Sequence, residues 1–332
     1  MRRILAPPPA APVSRGEPPT FSAIVAAYQA AEFMADAIDS LLAQTLPPTE
    51  IIVCDDGSTD NLAEALAPYG DLLLLLRKEN GGEASAKNAA ARASSGEFVA
   101  ILDADDVYLP DRLEALSELS VRRPDLDILT ADCFVVVDGR IVRNCYGGDY
   151  RFEVDDQRRG ILERNFIGPG HMAVRREALL AIGGFDEAFR HATDWDCWIR
   201  MILAGSRAGM VDQPLAEYRV RETSLASDRI RQFEGYVALL EKAHRREDLS
   251  AAERAVLERS LAAQRRRLSL RKAQTALLEG RPDARRRALK IALSSGFPPG
   301  ARVKAALAAA VPRLAARHLA RDRRDLAGGV RA

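Results

Sequence analysis

Three carboxylates, Asp103, Asp105 and Asp106, fall within four positions at the end of the apolar run "EFVAIL". Like charges crowded at the end of a buried strand are unfavourable unless a cation or a hydrogen-bonded ligand offsets them. Asp-x-Asp offers hard oxygen donors that suit magnesium or manganese, and two protein carboxylates leave shell positions open for water or phosphate oxygens. The plain alternative is a solvated acidic turn with a helix cap. "CDDGSTD" is a second acidic turn, built of ordinary turn formers. There Asp56, nearer the glycine, is expected to reach outward and accept hydrogen bonds from a base or ribose. Tyr28 could stack on a flat base or simply pack. In "HATDWDCWIRM", Asp194 opens a helix, either as a first-turn acid or as a general base at a cleft rim. The tryptophans of that helix are expected to anchor it in the core. His171, in "GPGH", is one of four histidines, and a lone histidine is more often structural.

These residues need a scaffold that brings them together. Continuously apolar strands ("TFSAIVAAY", Glu50 to Cys54, "DLLLLLR", "EFVAILDADD") alternate with helical segments ("EFMADAIDSLLAQT", Asn61 to Leu66, "EASAKNAAARASSG", "LPDRLEALSELSVRRP"). That alternation predicts an α/β fold, a mostly parallel sheet covered by helices on both faces. Ligands of such sheets bind beyond the carboxyl ends of the strands. Ala26 to Tyr28, Asp55 and Asp56, the "ENGG" turn and Asp103 to Asp106 all fall at strand ends, so four turns are expected to converge on one cleft. Beyond Pro124 the pattern changes: "DLDILTADCFVVVDGRIV" reads as a hairpin turning at Asp138-Gly139, and "DWDCWIRMILAG" as a helix stopping at Gly205.

Composition narrows the class further. With 332 residues, 47% hydrophobic and 29% charged, the chain has the make-up of an ordinary globular protein. Cys54, Cys133, Cys145 and Cys197 form no C-x-x-C pair, which disfavours a zinc or redox motif and suits buried thiols. No Gly-x-Gly-x-x-Gly follows the first strand and no Gly-Lys-Ser/Thr occurs, so dinucleotide and Walker-type phosphate sites are disfavoured. Residues 1–19 read as a disordered, proline-rich leader. The absence of a signal or an apolar span points to a cytoplasmic protein, peripheral at most to the inner face of a membrane. Residues 1–228 carry 23 Lys+Arg against 37 Asp+Glu, and residues 229–332 carry 25 against 10. An acidic front and a basic tail suggest parts with different partners.

Taken together, "SAIVAAYQ", "SLLAQTLPPTEIIVCDDGSTD", "ENGGEASAKNAAARASSGEFVAILDADDVYLPDRL" and "AIGGFDEAFRHATDWDCWIRMILAG" resemble, in order, the motifs of the family 2 glycosyltransferases of the GT-A fold. The likeness covers Phe21 to Ser227. It implies a catalytic domain over 20–228, with a nucleotide-binding half at about 20–123 and an acceptor half at about 124–228. It further implies inverting transfer of a sugar from a nucleotide-sugar, UDP-linked by family habit, to a saccharide or lipid-linked acceptor in cell-surface polysaccharide or glycolipid synthesis, with Mn2+ or Mg2+. Carried over by position, Ala26, Tyr28, Asp56, Lys87 and Asp103 would face the nucleotide. Asp103 and Asp105 would hold the metal, Asp105 the more directly, and Asp194 would be the catalytic base. His171, Trp195 and Arg221 would border the acceptor side. Thr193 stands where many relatives have Glu. Arg221 stands after the last strand where a histidine is common; arginine cannot ligate a metal but can bind diphosphate. The Gln-x-x-Arg-Trp motif of processive synthases is absent, which favours transfer of single sugars. A nucleotide-sugar-binding or scaffold protein without transferase activity is the alternative.

The basic region 229–332 lies outside the resemblance and reads as short helices. Solvated helix faces are the plain reading, and peripheral contact with anionic lipid the sharper one. No nucleic-acid motif accompanies the charge.

Overall fold

The computed structural model describes residues 2–9, 16–148, 150–168, 171–221 and 228–319. Met1–Glu222 with Leu249–Val256 form one compact unit, and Thr223–Asp248 with Leu257–Ala332 a second.

The first unit is built on a mixed sheet of ten strands among the described residues. Ile4–Leu5 (β1) lies inside the stretch expected to be a disordered leader, yet it pairs antiparallel with Val211 and Met210. Arg2 beside it forms ion pairs with Asp111 and Glu118 at 2.7 and 3.0 Å. The alternation read from the sequence follows: Phe21–Ala27 (β2), Ala31–Leu42 (α1), Glu50–Asp55 (β3), Leu62–Leu66 (α2), Leu74–Arg77 (β4), Glu83–Ala93 (α3) and Phe98–Asp103 (β5). β4, β3, β2 and β5 are parallel neighbours in that order, so the four turns after them share one edge of the sheet. Val107–Tyr108 (β6), Arg112–Arg122 (α4), Ile128–Val137 (β7) and Arg140–Asn144 (β8) come next. β7 and β8 are a hairpin, and Asp138 and Gly139 take φ of 49° and 73° at its turn. Left-handed geometry at both positions is what a type I′ turn requires.

After Gln157–Glu163 (α5), Ala173–Arg175 (β9) enters between β5 and β7, antiparallel to both. Arg176–Ala181 (α6), Thr193–Leu203 (α7) and Ala208–Val220 (β10) complete the unit. β10 runs parallel to β7 with a register shift at Pro214, where the missing N–H interrupts the ladder. Tyr218, Arg219 and Val220 end this strand, and Arg221 follows it as expected.

Apolar side chains fill both faces of the central strands. Ala23 and Val25, Ile51 and Val53, Ala100 and Leu102 form one core cluster with Met34, Ile38 and Leu41 of α1 and Leu113, Leu116 and Leu119 of α4. The period-2 alternation of strands sends Ile24, Ile52 and Ile101 to the opposite face. There α3 packs on β2 and β3, and its inward side chains Ala84, Ala86, Ala90 and Ala91 are small enough to let its backbone approach closely. Gly96 turns the chain from α3 into β5 where a Cβ would lie 2.7 Å from the Ser22 backbone nitrogen.

The second unit is helical: Arg229–His244 (α8), the greater part of Ala251–Leu278 (α9), Ala284–Leu293 (α10) and Pro299–Ala310 (α11). The first turn of α9 belongs to the first unit. Ser250 and Glu253 cap it reciprocally at 2.8 and 3.2 Å, a capping box, and Glu253 also accepts from Arg158 at 2.5 Å. No helix among the described residues is long and apolar enough to cross a membrane.

Candidate active site

At the shared strand-end edge, Ala26 registers beside Asp103 on β5 and Cys54 on β3. Tyr28 follows, its side chain 54% exposed and open to a flat ligand. Gln29 takes a left-handed φ of 51°. Its side-chain oxygen accepts from the Thr59 and Asp60 amides at 2.8 and 3.1 Å, and so clamps the second acidic turn.

Asp56 does not reach outward as expected. It is 2% exposed. One carboxylate oxygen accepts from Lys78 Nζ and the Gly81 N–H at 2.7 and 2.9 Å, and the other from the Gly82 N–H at 2.7 Å. Asp55 is likewise engaged, by the Ser58 N–H at 2.7 Å and by Arg77 at 3.3 Å. Donors from the "RKENGG" turn of the neighbouring strand thus satisfy this acidic pair internally. Gly82, at φ 93°, sits so close beneath Arg190 that a Cβ would lie 2.8 Å from its guanidinium.

The turn after β5 is different. Lys87, 3% exposed, donates to Asp103 at 2.8 Å and to Glu83 at 2.5 Å. Burial alone would lower its pKa, but the charges of Asp103 and Glu83 overcome this and hold the ammonium well above its ordinary value. Asp106 is 1% exposed and points inward. Its two oxygens meet His171 Nε2 and the Arg219 N–H, each at 2.7 Å. Burial pushes its pKa up, and these partners act against it. Asp105, half-buried between them, is pushed up to about 6 by burial and by the charges of Asp106 and Asp103, with Arg221 opposing.

Asp194, in the first turn of α7, is also pushed up to about 6, first by burial and then by the charges of Glu83 and Asp103; the Trp195 N–H and Lys87 oppose this. The same charges act on Asp194 that surround the β5 turn, so the two are electrostatically one site. Asn165 Nδ2 donates to Asp194 at 2.9 Å. Ala192, just before the helix, is left-handed at φ 62°, an unusual conformation for a residue with a Cβ. The "GGFDE" turn is locked to α3: Asn88 donates to the Phe185 carbonyl and to Glu187 at 2.8 and 2.9 Å and accepts from the Phe185 N–H at 2.8 Å. Lys87 lies 5.9 Å from the centre of the Phe185 ring.

The three acceptor-side expectations separate. His171 is 2% exposed behind the acidic turn, where Asp106 holds it. Trp195 is 2% exposed and donates its indole N–H to the Ile161 carbonyl at 2.7 Å, which makes it a core anchor. Arg221 alone borders the site, donating to the Asp105 carbonyl at 3.2 Å while stacking on Phe33. Positions 169–170 and 222–227, in the loop before His171 and after Arg221, lie outside the described residues.

A hard divalent cation fits the donor set. Asp103 and Asp105 lie two positions apart at the end of β5, and burial together with the charges of Asp106 and Asp103 raises the Asp105 pKa, a cost that a cation would offset. Among the described residues no group of three His, Cys, Asp or Glu is placed to hold a metal alone, so ligand oxygens would complete the shell. Sequence reasoning missed Asn165, Glu83 and Arg190. The Glu83–Lys87 spacing of i,i+4 was a usable signal for one of them; nothing local announces the other two.

The profile of glycosyl transferase family 2 matches residues 22–183. An uncharacterized glycosyltransferase of Rickettsia typhi is 30% identical over 230 residues, covering 67% of this chain and 70% of that protein. A Bacillus subtilis protein named as a teichuronic acid biosynthesis glycosyltransferase, TuaG, is 28% identical over 64% of this chain and 83% of its own length. Two solved structures share the fold. Staphylococcus aureus TarS 1–349 in complex with UDP has a TM-score of 0.60 at 20% identity, covering 86% of this chain and 81% of its own. The mannosyltransferase PcManGT of Pyrobaculum calidifontis, in complex with GDP-Man and Mn2+, has a TM-score of 0.59 at 23% identity, covering 94% and 87%.

Proposed function

This chain belongs to glycosyl transferase family 2, and from that premise we propose that it transfers one sugar, with inversion, from a nucleoside-diphosphate sugar to a saccharide or lipid-linked saccharide acceptor. The observation that carries the reading is that the charge of Asp103 acts on both Asp105 and Asp194, each raised to about 6. TuaG, named for teichuronic acid biosynthesis, supports cell-surface polysaccharide assembly as the setting. TarS with UDP and PcManGT with GDP-Man and Mn2+ support a nucleotide-bound donor and a divalent cation; UDP is the first donor nucleotide to try.

Tyr28 stacks on the base, and Ala26, without bulk at the strand end, lets the ribose approach. Asp103 and Asp105 would hold a cation, which when bound would supply charge stabilisation to the departing diphosphate. Lys87 fixes Asp103 and keeps a permanent positive charge beneath that oxygen cluster. Arg221, backed by Phe33, reaches the diphosphate side. The acceptor hydroxyl attacks the anomeric carbon from the face opposite the diphosphate. The new C–O bond forms as the old one breaks, the diphosphate leaves with the electron pair, and Asp194 takes the hydroxyl proton. A carboxylate whose pKa is raised to about 6 is a stronger base than an exposed one and is still mostly ionised at pH 7. Asn165 orients it. Asp56 acts from behind, fixing the "ENGG" turn that closes the nucleotide side.

The test is a screen of UDP-, GDP- and dTDP-sugars with manganese, read by nucleotide release and by NMR of the product's anomeric configuration. One donor turning over with inverted configuration is the expected result. A retained configuration, or turnover undiminished by chelation, rejects the corresponding part.

A further inference from the structure

The helices of the second unit take no part in the chemistry above, yet they expose an organised surface. Between Ala284 and Leu319 the chain has eight Lys and Arg and no Asp or Glu. α10 buries Ala284, Ala288 and Ile291. It turns Arg285, Leu289 and Leu293 outward along one stripe, with Arg286 and Lys290 exposed on the next. Along α11 and the helical stretch 312–319, Val303, Leu307, Val311 and Leu314 recur at helical spacing and are 48–64% exposed; Leu293 is 80% exposed. Lys304, Arg313 and Arg317 flank them in the open. A helix on a water-facing surface normally buries its leucines and exposes only its polar face. Single exposed leucines need no explanation, but two periodic stripes edged by cations do.

We infer that 284–319 is a membrane-surface element whose leucine and valine stripes enter the headgroup boundary of an anionic bilayer while the flanking Arg and Lys meet its phosphates. Charge complementarity selects the occupant: a segment without one acidic side chain is attracted to anionic lipid. The apolar stripes select a bilayer over nucleic acid, which has no use for exposed leucines, and the stripes carry no aromatic ring on which a base would stack.

The experiment is flotation of the full chain with vesicles of phosphatidylcholine alone or with about a third phosphatidylglycerol, a composition chosen to give the surface charge on which the attraction depends. Binding is expected on the anionic vesicles only, weakening with salt. The triple change Arg285→Gln, Arg286→Gln and Lys290→Gln is expected to weaken it about a hundredfold. Leu293→Ser with Leu307→Ser and Leu314→Ser, all at exposed positions, is expected to weaken it about tenfold or more, with an unchanged circular dichroism spectrum. Absence of binding at low salt overturns the inference. So does serine-variant binding equal to that of the parent, which would mean adsorption by charge alone, and so does displacement of the vesicles by single-stranded DNA with equal affinity for parent and serine variant. Binding is read without donor or acceptor, so its failure leaves the transferase reading standing.

Discussion

The turns after β3 and β5 lie on either side of β2 and pose one electrostatic problem: carboxylates crowded at the end of a buried parallel strand. After β3 the protein supplies its own donors. Asp56 receives Lys78 and two backbone N–H groups, and Asp55 receives the Ser58 N–H and Arg77. After β5 only two of three carboxylates are so treated. Asp103 has Lys87 and Asp106 has His171, while the pKa of Asp105 is raised to about 6, as is that of Asp194 in the first turn of α7. Acidic turns that look alike in sequence differ in where their compensation comes from. One is finished at folding; the other keeps charge in reserve for a ligand.

The sharpest test of that difference is Asp194→Asn. Loss of the base is expected to cut transfer about 10²–10⁴-fold with the fold intact; a rate within tenfold of the parent would remove Asp194 as the base. On the other side, Asp56→Ala takes the acceptor from three part-buried donors and is expected to cost about 2–3 kcal/mol of stability in urea unfolding. A cost under about 0.5 kcal/mol, the range of ordinary surface substitutions, would break the comparison. Asp105→Asn should act oppositely on function and stability. Nucleoside diphosphate affinity with manganese should fall at least 10–100-fold, by analogy with disturbed metal ligand sets, measured by calorimetry. The ligand-free protein should melt higher. The sign follows from linkage: a carboxylate raised from 3.8 to about 6 binds more protons folded than unfolded, so its contribution to stability falls as pH rises through that window, and the amide has no such loss. The smallest effect is on pH dependence. Transfer should rise about tenfold between pH 5 and 7 on a limb near 6 set by Asp194, and the limb should vanish in Asp194→Asn.

Much of this was legible in the chain. Continuous apolar runs ending in acids identify strands, the Asp138-Gly139 pair places the hairpin, and neighbouring parallel strands bring their turns to one edge. That argument puts Asp103 and Asp105 at the end of β5, where the structure has them; Lys87, which only the resemblance suggested, meets Asp103 there. What failed did so for a physical reason. Asp56 looked outward because its donors, Gly81 and Gly82, come from another strand's turn and leave no local mark. His171 and Trp195, which the resemblance put at the acceptor side, are buried as their residue types alone suggest, each satisfied by one distant partner, here Asp106 and the Ile161 carbonyl. β1 and β9, of two and three residues, are too short to show a period, and Pro214 disguises the long strand β10.

The position of β9 bears on how the catalytic unit could be dissected. β5, which carries the acidic turn, has β2 on one side and β9 on the other. A fragment stopping near residue 123 would keep Ala26, Tyr28, Asp56, Lys87, Asp103 and Asp105 and lose Ala173–Arg175. The strand at the middle of the sheet would then become an edge, with the apolar side chains Phe98 to Leu102 beside unpaired N–H and C=O groups. Such an edge recruits further chains into fibres and aggregates. The strand carrying the acidic turn is thus covered by a three-residue strand from later in the chain, and a fragment without it is expected to aggregate.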